Sequence, residues 1–529
     1  MTHWIVAPVI LPALLAPIMA MAMRHDLLLQ RVFGLAGQVA LLGIALWLGV
    51  QAYSGEIAIY ELGAWRAPFG IVLVLDRLSA TMLMLGAALA VAVTLYAIGS
   101  GWDRRGWHFH ALFAFQMMGV NGAFLTGDAF NLFVFFEVLL IASYGLMIHS
   151  GGAIRLRVGL QYVVMNLAGS TLFLFALGTL YAVLGTLNLA DMAVKAAEAP
   201  PEDTALLAVG AVLLLIVFAV KAAAFPVQFW LPATYAAAPA PVAALFAIMT
   251  KVGAYAILRV YTLVFGAATP ELSALIADLL LPAAIVTLAI GAVGVLGAQR
   301  LERLIAFSVL ASMGTLLVAI ALFTPEGLTA ALYYLLHSTF ATAALFLVAD
   351  LVRRGEAEGL RPHGLTVSFY FLAAIAMAGM PPLTGFLGKV FVLQAAAPEP
   401  GAPLVWAVIL VTSLLIIVGF TRMGSALFWK TAPAPVADPL EVDGADLALP
   451  RGLAATAAAL PLAALAAMTL ASGPVGAAME RTAAQLLDRP AYIDAVLNPP
   501  RHADEGLVRG GGSYDDAEGG DATPAGEAE

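Results

Sequence analysis

The chain of 529 residues contains no cysteine, and only 11% of its residues are charged. The missing cysteine excludes disulfides, thiolate metal sites and cysteine-held iron–sulfur clusters. Soluble proteins of this size have about a quarter charged residues, so the low charge argues against a soluble fold. If the protein belongs to a redox machine, the electrons must therefore pass through another chain.

Long apolar runs fill the sequence, which is 62% hydrophobic with a mean hydropathy of +0.95. Runs of about 20 apolar residues can each cross a bilayer. The first run has only Thr2 and His3 before Trp4 and no basic segment ahead of it, which predicts a retained helix rather than a cleaved signal. We predict an all-α polytopic membrane protein with fourteen spans, at 4–23, 29–53, 71–100, 107–127, 129–150, 157–186, 204–236, 240–267, 273–298, 301–323, 327–353, 365–397, 403–430 and 451–471.

Basic residues in the predicted loops fall almost entirely on one side of the membrane. If the loops alternate, the other short loops contain only Arg66 and Lys195. Arg77 and Arg259 lie near predicted helix ends, where long side chains can snorkel to the interface. The positive-inside rule then places both termini on the non-cytoplasmic side. The basic-rich loops contain Arg24, Arg31, Arg104, Arg105, Arg155, Arg157, Arg300, Arg303, Arg353, Arg354, Arg361, Arg422, Lys430 and Arg451.

Lysine is rare, and three of the five lysines lie inside predicted spans: Lys221, Lys251 and Lys389. The loops use arginine instead, which stays protonated, whereas a desolvated lysine can release its proton. Glu137 and His337 also lie within predicted helices. A charge at the bilayer centre costs about 2.5–3.5 kcal/mol on insertion scales, so such groups are functional by default. We predict a row of proton-transferring groups near the midplane, with Glu137 as counter-ion to Lys221.

Structural roles are the alternative explanation for these groups. A single intramembrane Glu or His can hold helices together by hydrogen bonding. Asp76, beside Arg77, is expected at the membrane interface rather than in the row, and Asp278 and Asp350 lie near predicted helix ends. The remaining alternative is a scaffold whose buried charges carry no protons.

Prolines interrupt two of the predicted spans. Pro226 follows Lys221 in the seventh span, and Pro381 with Pro382 precedes Lys389 in the twelfth. Such breaks survive at membrane depth only where protein or a hydrated cavity satisfies the freed backbone groups. Paired broken helices in corresponding positions mark the ion path of many transporters, so these prolines are candidate gating residues.

Two broken spans five helices apart predict an inverted repeat, because a unit with an odd number of spans must change orientation. The predicted divisions are 1–106 (helices 1–3), 107–268 (helices 4–8), 269–430 (helices 9–13), 431–471 (acidic loop and helix 14) and 472–529 (polar, disordered tail).

Three stretches carry a resemblance to a known family: TGDAFNLFVFFEVLLIASYGLM, VKAAAFPVQFWLPATYAAAPAPVAALFAIMTKVGAYAILR and GMPPLTGFLGK. They resemble the antiporter-like subunits shared by respiratory complex I and the Mrp-type sodium/proton antiporters, over nearly the whole chain. The resemblance implies a pair between Glu137 and Lys221. It also implies a hydrated lateral relay that continues through Lys251 and His337 to Lys389.

The resemblance implies a subunit of a multi-subunit Na⁺/H⁺ antiporter in a bacterial cell membrane, without cofactor or metal. Its partners would be other membrane subunits, protons, Na⁺ and the lipid bilayer, with no nucleic acid. The alternative function is a proton-pumping subunit of an NADH–quinone oxidoreductase or related hydrogenase. A soluble-type enzyme finds no support, since GxSxG, HExxH and GxGxxG motifs are missing.

Overall fold

The computed structural model describes residues 2–357, 364–429 and 452–499. The acidic loop predicted at 431–450 and the tail after residue 500 lie outside these ranges. The predicted all-helical membrane fold is confirmed. In the described ranges the α-helices are α1 (Ala7–Met21), α2 (Leu27–Tyr53), α3 (Arg77–Ser100), α4 (Phe109–Leu125), α5 (Ala129–Met147), α6 (Ala153–Leu184), α7 (Leu189–Ala197), α8 (Thr204–Ala222), α9 (Trp230–Ala237), α10 (Ala240–Leu263), α11 (Pro270–Gly297), α12 (Leu301–Ala321), α13 (Pro325–Ala357), α14 (Gly364–Ala378), α15 (Thr384–Ala396), α16 (Ala402–Phe428), α17 (Leu453–Leu470), α18 (Ser472–Leu487) and α19 (Arg489–Leu497).

Of the helices in the described ranges, twelve are long and apolar enough to cross a membrane. Three further apolar helices, α4, α14 and α15, are shorter. The predicted fourteen spans are reached only if α4 crosses the membrane and α14 with α15 forms one interrupted span. The number fourteen therefore remains an interpretation.

Side-chain caps fix where several helices begin. Asp76 accepts a hydrogen bond from the Ser79 backbone N–H at 2.8 Å, and the Ser79 hydroxyl closes a capping box. Asp128 accepts from the Asn131 N–H at 2.7 Å at the start of α5. These carboxylates satisfy donors that the first helical turn leaves free.

A short hairpin corrects the helix predicted at 71–100. Its first residues, Val72–Leu75, form strand β2, which pairs antiparallel with β1 (Ala58–Glu61), and the helix begins at Arg77. The segment VLVL is apolar and half β-branched, which suits a buried strand. The Asp76 cap then sets the helix start.

The C-terminal region corrects a second prediction. Residues 472–529 were predicted as a disordered tail, which is wrong for 472–499, where α18 and α19 form. Met479, Ala483 and Leu486 line one buried face of α18. This apolar stripe at spacing 3–4 supplies the burial that stabilises the helix, while Glu480 and Arg481 are exposed.

The centre of the bundle is formed by α10, α12 and α13. In the most apolar 18-residue stretch of each of these helices, 100%, 94% and 89% of the residues are buried by protein. The corresponding share is 33% in α1 and α2. A helix apolar all round and enclosed by protein belongs to the core. Lys251 and His337 lie on α10 and α13, so two predicted site residues lie in the most enclosed part of the fold.

Candidate functional site

The first interrupted segment consists of α8 and α9, separated by residues 223–229 that contain Pro226. Ala223 takes a left-handed conformation with φ +54°. The Ala224 N–H donates to the Ala219 carbonyl at 2.8 Å and the Ala223 N–H to the Val220 carbonyl at 3.2 Å. This is the hydrogen-bond pattern of a Schellman cap, which ends α8 one residue after Lys221.

Groups from other segments satisfy the backbone freed by this break. The Trp230 indole N–H donates to the Val220 carbonyl at 3.1 Å. The Phe225 N–H donates to the Thr287 hydroxyl of α11 at 2.8 Å. The backbone beside Lys221 is therefore satisfied without the ammonium group, which stays available for other partners.

Lys221 and Glu137 both turn toward α6. The Lys221 ammonium donates to the Asn166 side-chain oxygen at 3.3 Å and lies 5.8 Å from the centre of the Phe136 ring. The Ser170 hydroxyl donates to a Glu137 carboxylate oxygen. Within residues 2–357, where both lie, no ion pair joins Glu137 to Lys221.

Lys251 is fully buried in the middle of α10. Its ammonium donates to the Met313 sulfur of α12, at 3.5 Å. A thioether is a weak acceptor, so the protein offers this nitrogen little stabilisation for a charge. The neighbouring Thr250 hydroxyl is also buried without a hydrogen-bond partner.

The second interrupted segment consists of α14 and α15, with Pro381 and Pro382 between them. Gly379 has φ +77°, and the Met380 N–H donates to the Ile375 carbonyl at 3.0 Å while the Gly379 N–H donates to the Ala376 carbonyl at 3.1 Å. These bonds again form a Schellman cap. Both breaks therefore use the same backbone device.

Lys389 reaches back from α15 across this break. Its ammonium donates to the Ala378 carbonyl at 2.7 Å and to the Ser413 hydroxyl of α16 at 2.9 Å. Ala378 is the last residue of α14, where the carbonyl end of the helix dipole attracts a positive charge. The Lys389 ammonium is thus held by one backbone carbonyl and one side-chain hydroxyl.

His337 lies between these lysines on α13 and is fully buried. Its Nδ1 is 2.9 Å from the Thr384 hydroxyl, at the start of α15. Its Nε2 is buried without a hydrogen-bond partner. One ring nitrogen is therefore held by the second break, while the other faces the interior unpaired.

Two buried ion pairs lie apart from this row. Arg259 forms two hydrogen bonds to the Asp76 carboxylate at 2.6 and 2.8 Å and is 3% exposed, so the expectation that it snorkels to the interface is wrong. Asp350 accepts from Trp102, Tyr96 and Arg354 at 3.0, 2.8 and 2.9 Å. Arg259 and Asp76 come from distant parts of the chain, whereas Arg354 lies one turn after Asp350 on α13. The position of each residue near a helix end did not suggest either pairing.

Asp103, in the turn before α4, forms a third cluster. Burial would raise the pKa of its carboxyl, but hydrogen bonds from Arg31 and His110 hold that pKa below its usual value. The Arg31 guanidinium contacts both oxygens, at 2.6 and 2.7 Å. Bidentate geometry of this kind fixes α2 against the turn and serves packing.

The five predicted groups occupy five elements of the bundle: α5, α8, α10, α13 and α15. Each can gain or lose a proton, and none of the described residues forms a cluster of three or more His, Asp or Glu that could hold a metal ion. Four neutral residues that were not predicted from the sequence each contact a member of the row: Asn166, Ser170, Thr384 and Ser413. Neutral polar residues inside apolar helices were the available signal. A helical membrane protein with buried titratable groups is the architecture of an ion-transporting subunit.

The family model that matches, NADH:quinone oxidoreductase/Mrp antiporter, TM, covers residues 126–416, a range containing all five groups. The chain belongs to this family. It is 37% identical to the D-type subunit of a probable K(+)/H(+) antiporter from Rhizobium meliloti (strain 1021), over 94% of this chain and 98% of that protein. It is 36% identical to the D-type subunit of the Na(+)/H(+) antiporter from Bacillus subtilis (strain 168), over 94% and 100%.

Solved structures agree with this assignment. A chain of the Mrp complex from Dietzia sp. DQ12-45-1b is 28% identical, with a TM-score of 0.84 over 94% of this chain and 100% of that one. A chain of respiratory complex I from Thermus thermophilus is 25% identical, with a TM-score of 0.74 over 91% and 99%. The resemblance expected from the sequence is confirmed.

Proposed function

We propose that the chain is the D-type, proton-translocating subunit of a multi-subunit Mrp-type monovalent cation/proton antiporter. The names of its relatives support this, since they are antiporter subunits matched over 94% of the chain. The observation that carries the proposal is the placement of Lys221 and Lys389 at two breaks, with Lys251 and His337 buried between them. The chain is accordingly a transporter subunit rather than an enzyme.

In the proposed mechanism, protons move along Lys251, His337 and Lys389. The Glu137–Lys221 pair opens and closes beside them. The Glu137 carboxylate stabilises the charged Lys221 ammonium, so opening the pair removes that stabilisation. Pro226, Pro381 and Pro382 keep the breaks open as gating elements. Proton flow through this chain is coupled to cation exit along a path that involves partner subunits.

The repeat organisation is part of the same proposal. Residues 107–268 and 269–430 form two inverted five-helix units, preceded by 1–106 and followed by 431–471 and 472–529. The shared Schellman caps at Ala223 and Gly379 support this relation. The distribution of arginines between loops supports a bacterial inner-membrane location with both termini on the non-cytoplasmic side.

The cation is Na⁺ in this proposal, with K⁺ as the competing ion. One relative is named as part of a K(+)/H(+) antiporter and another as part of a Na(+)/H(+) antiporter. An assay of proton flux distinguishes Na⁺ from K⁺ as the substrate. The flux is measured in vesicles that contain the whole complex and is driven in turn by Na⁺, K⁺ and Li⁺. A response confined to K⁺ would contradict Na⁺ as the substrate.

Substitution of the pair tests the proton role. Glu137→Ala and Lys221→Ala should each abolish cation-driven proton flux in inverted membrane vesicles while the complex still assembles. Glu198→Ala and Lys195→Ala are matched controls, since both side chains lie outside the predicted spans and Lys195 is 42% exposed. Flux near wild type in either pair variant would remove the pair from the mechanism.

A redox-driven pump is the second candidate function, favoured by the likeness to complex I. Gentle purification of the tagged chain followed by mass spectrometry separates the two. Small membrane subunits without cofactors support the antiporter. Co-purifying flavin and iron–sulfur subunits would assign the chain to a redox pump instead.

A further inference from the structure

One face of α6 contacts both members of the Glu137–Lys221 pair. Asn166 and Ser170 are four residues apart on this helix, which places them on the same face about 6 Å apart along the axis. The Asn166 oxygen accepts from Lys221, and the Ser170 hydroxyl donates to Glu137. One helix therefore offers each charge a separate neutral partner.

The Asn166 amide is oriented for this contact. Its Nδ2 donates to the Tyr162 carbonyl, one turn earlier on the same helix, at 2.9 Å. This bond uses the donor side of the amide and leaves Oδ1 facing Lys221. Asn166 is 1% exposed and Ser170 is 5% exposed, so water at the protein surface does not compete for either side chain.

Lys221 is buried and Glu137 is half-buried. Two opposite charges in such surroundings would ordinarily contact, because a buried charge without a partner is costly. Glu137 and Lys221 instead each bond to α6. Neutral partners bond a charge less strongly than an opposite charge does, yet they satisfy its hydrogen-bonding groups. The separated arrangement can therefore lie close in free energy to the paired one, as a two-state switch requires.

α6 packs closely on α8 beside Lys221. Gly169, between the two polar residues, faces α8, and a Cβ at this position would lie 3.2 Å from Val220 Cγ1 and 3.9 Å from Lys221 Nζ. The glycine thus keeps space beside the ammonium group that a larger residue would reduce.

We propose that Asn166 and Ser170 are positioning residues that hold Lys221 and Glu137 apart, forming the open state of the pair. This inference rests on the proposed function, because it assigns a helix to the opening step of that relay. Closing exchanges the Asn166–Lys221 and Ser170–Glu137 bonds for one direct ion pair. The contacts made by Asn166 and Ser170 then set the fraction of time in which Lys221 is unpaired from Glu137 and its charge can act on neighbouring α10.

Antiport by conservative and non-conservative variants tests the switch. In vesicles containing the assembled complex, Asn166→Leu removes the acceptor while keeping the branching and the number of side-chain heavy atoms, and Ser170→Ala removes the donor. Each should slow cation-driven proton flux about tenfold, the fold-change that loss of a hydrogen bond to a charge produces. Ser170→Thr keeps the hydroxyl and should restore most of the flux.

Thr171→Ala is the matched control. Thr171 is the next residue of α6, and its hydroxyl donates only within the helix, to the Leu167 carbonyl at 3.0 Å. Flux should be unchanged in this variant. Equal flux in wild type, Asn166→Leu and Ser170→Ala would overturn the proposal, as would equal impairment of Ser170→Ala and Ser170→Thr.

Infrared difference spectroscopy detects the Ser170–Glu137 hydrogen bond without a transport assay. The carboxyl band of Glu137 is identified in the purified complex as the band lost in Glu137→Gln. Ser170→Ala should shift this band, and Thr171→Ala should leave it in place. An unshifted band in Ser170→Ala would overturn the proposed contact.

The two proposals fail in different ways. Loss of flux in Glu137→Ala together with wild-type flux in Asn166→Leu would overturn the switch alone. Wild-type flux in Glu137→Ala would overturn the proposed function and the switch with it.

Discussion

The two breaks share a backbone design and differ in how they use lysine. When they are aligned on Pro226 and Pro382, Lys221 corresponds to Met377 and Lys389 to Ala233. Lys221 therefore precedes its break, and an indole satisfies the carbonyl beside it. Lys389 follows its break and itself bonds the last carbonyl of α14. At the first break the ammonium is free to exchange partners, whereas at the second it is part of the helix end.

This difference separates two tasks that one residue type can perform. A lysine with side-chain partners can respond to a neighbouring carboxylate, as Lys221 can to Glu137. A lysine that caps a helix couples its charge to backbone structure, so its loss should affect both transport and stability. The substitutions below test this division, beginning with the largest expected effect.

Lys251→Met and Lys389→Met should both reduce cation-driven proton flux to background, because methionine carries no proton. Only Lys389→Met should also destabilise the protein, by about 1–3 kcal/mol, since it leaves the buried Ala378 carbonyl unpaired. Lys251 loses only a contact to the Met313 sulfur. Vesicle flux and thermal unfolding of the purified complex measure both effects, with Lys195→Met as control. Flux retained in Lys251→Met would favour a structural scaffold.

Gly379→Ala should destabilise the second break by about 2 kcal/mol, because a left-handed alanine is strained and overpacking adds to the cost. Gly379 has φ +77°, and the added Cβ would lie 2.7 Å from Lys389 Cδ. Displacement of Lys389 should also lower flux. Gly185→Ala is the control, since Gly185 has φ +65° and no heavy atom near the added Cβ. If both variants reduce flux equally, contact with Lys389 is not the cause.

Trp230→Phe should destabilise the first break by about 1 kcal/mol and lower flux severalfold, because the Val220 carbonyl loses the indole N–H and keeps only the Ala223 N–H as a donor. Recruitment of the Lys221 ammonium to this carbonyl would make the first break resemble the second. Trp406→Phe is the control, because it removes a comparable 3.0 Å bond to the Leu393 carbonyl at an exposed site. Unchanged flux and unfolding temperature in Trp230→Phe would contradict the assigned role of the indole.

Ala223→Gly should have the smallest effect, a change in stability within about 1 kcal/mol. Relief of the left-handed strain at φ +54° is offset by the greater freedom of glycine in the unfolded chain. Flux should stay at the wild-type level, because the Schellman bonds are backbone bonds. A large loss of flux would show that the Ala223 side chain itself takes part.

Prediction from the sequence succeeded where a residue's burial followed from its own segment. Lysine and histidine inside long apolar runs are buried in the structure, and the three prolines lie between separate helices. The proton-transfer role of these groups stays a prediction. Prediction from the sequence failed where the partner came from another part of the chain. Arg259 was expected at the interface, yet its partner Asp76 lies 183 residues earlier. The hairpin and α18 were missed because their apolar stripes are short.

The sequence by itself determined the membrane class, the family and the residues able to carry protons, because hydropathy, residue chemistry and motif spacing are local properties. Only the tertiary structure decided what each group contacts. It put Asn166 against Lys221 and Ser170 against Glu137, and it set Lys389 on the carbonyl end of α14. The physical reason is that a buried charge takes its hydrogen bonds from whichever helix packs beside it, and packing joins residues that are far apart in the chain.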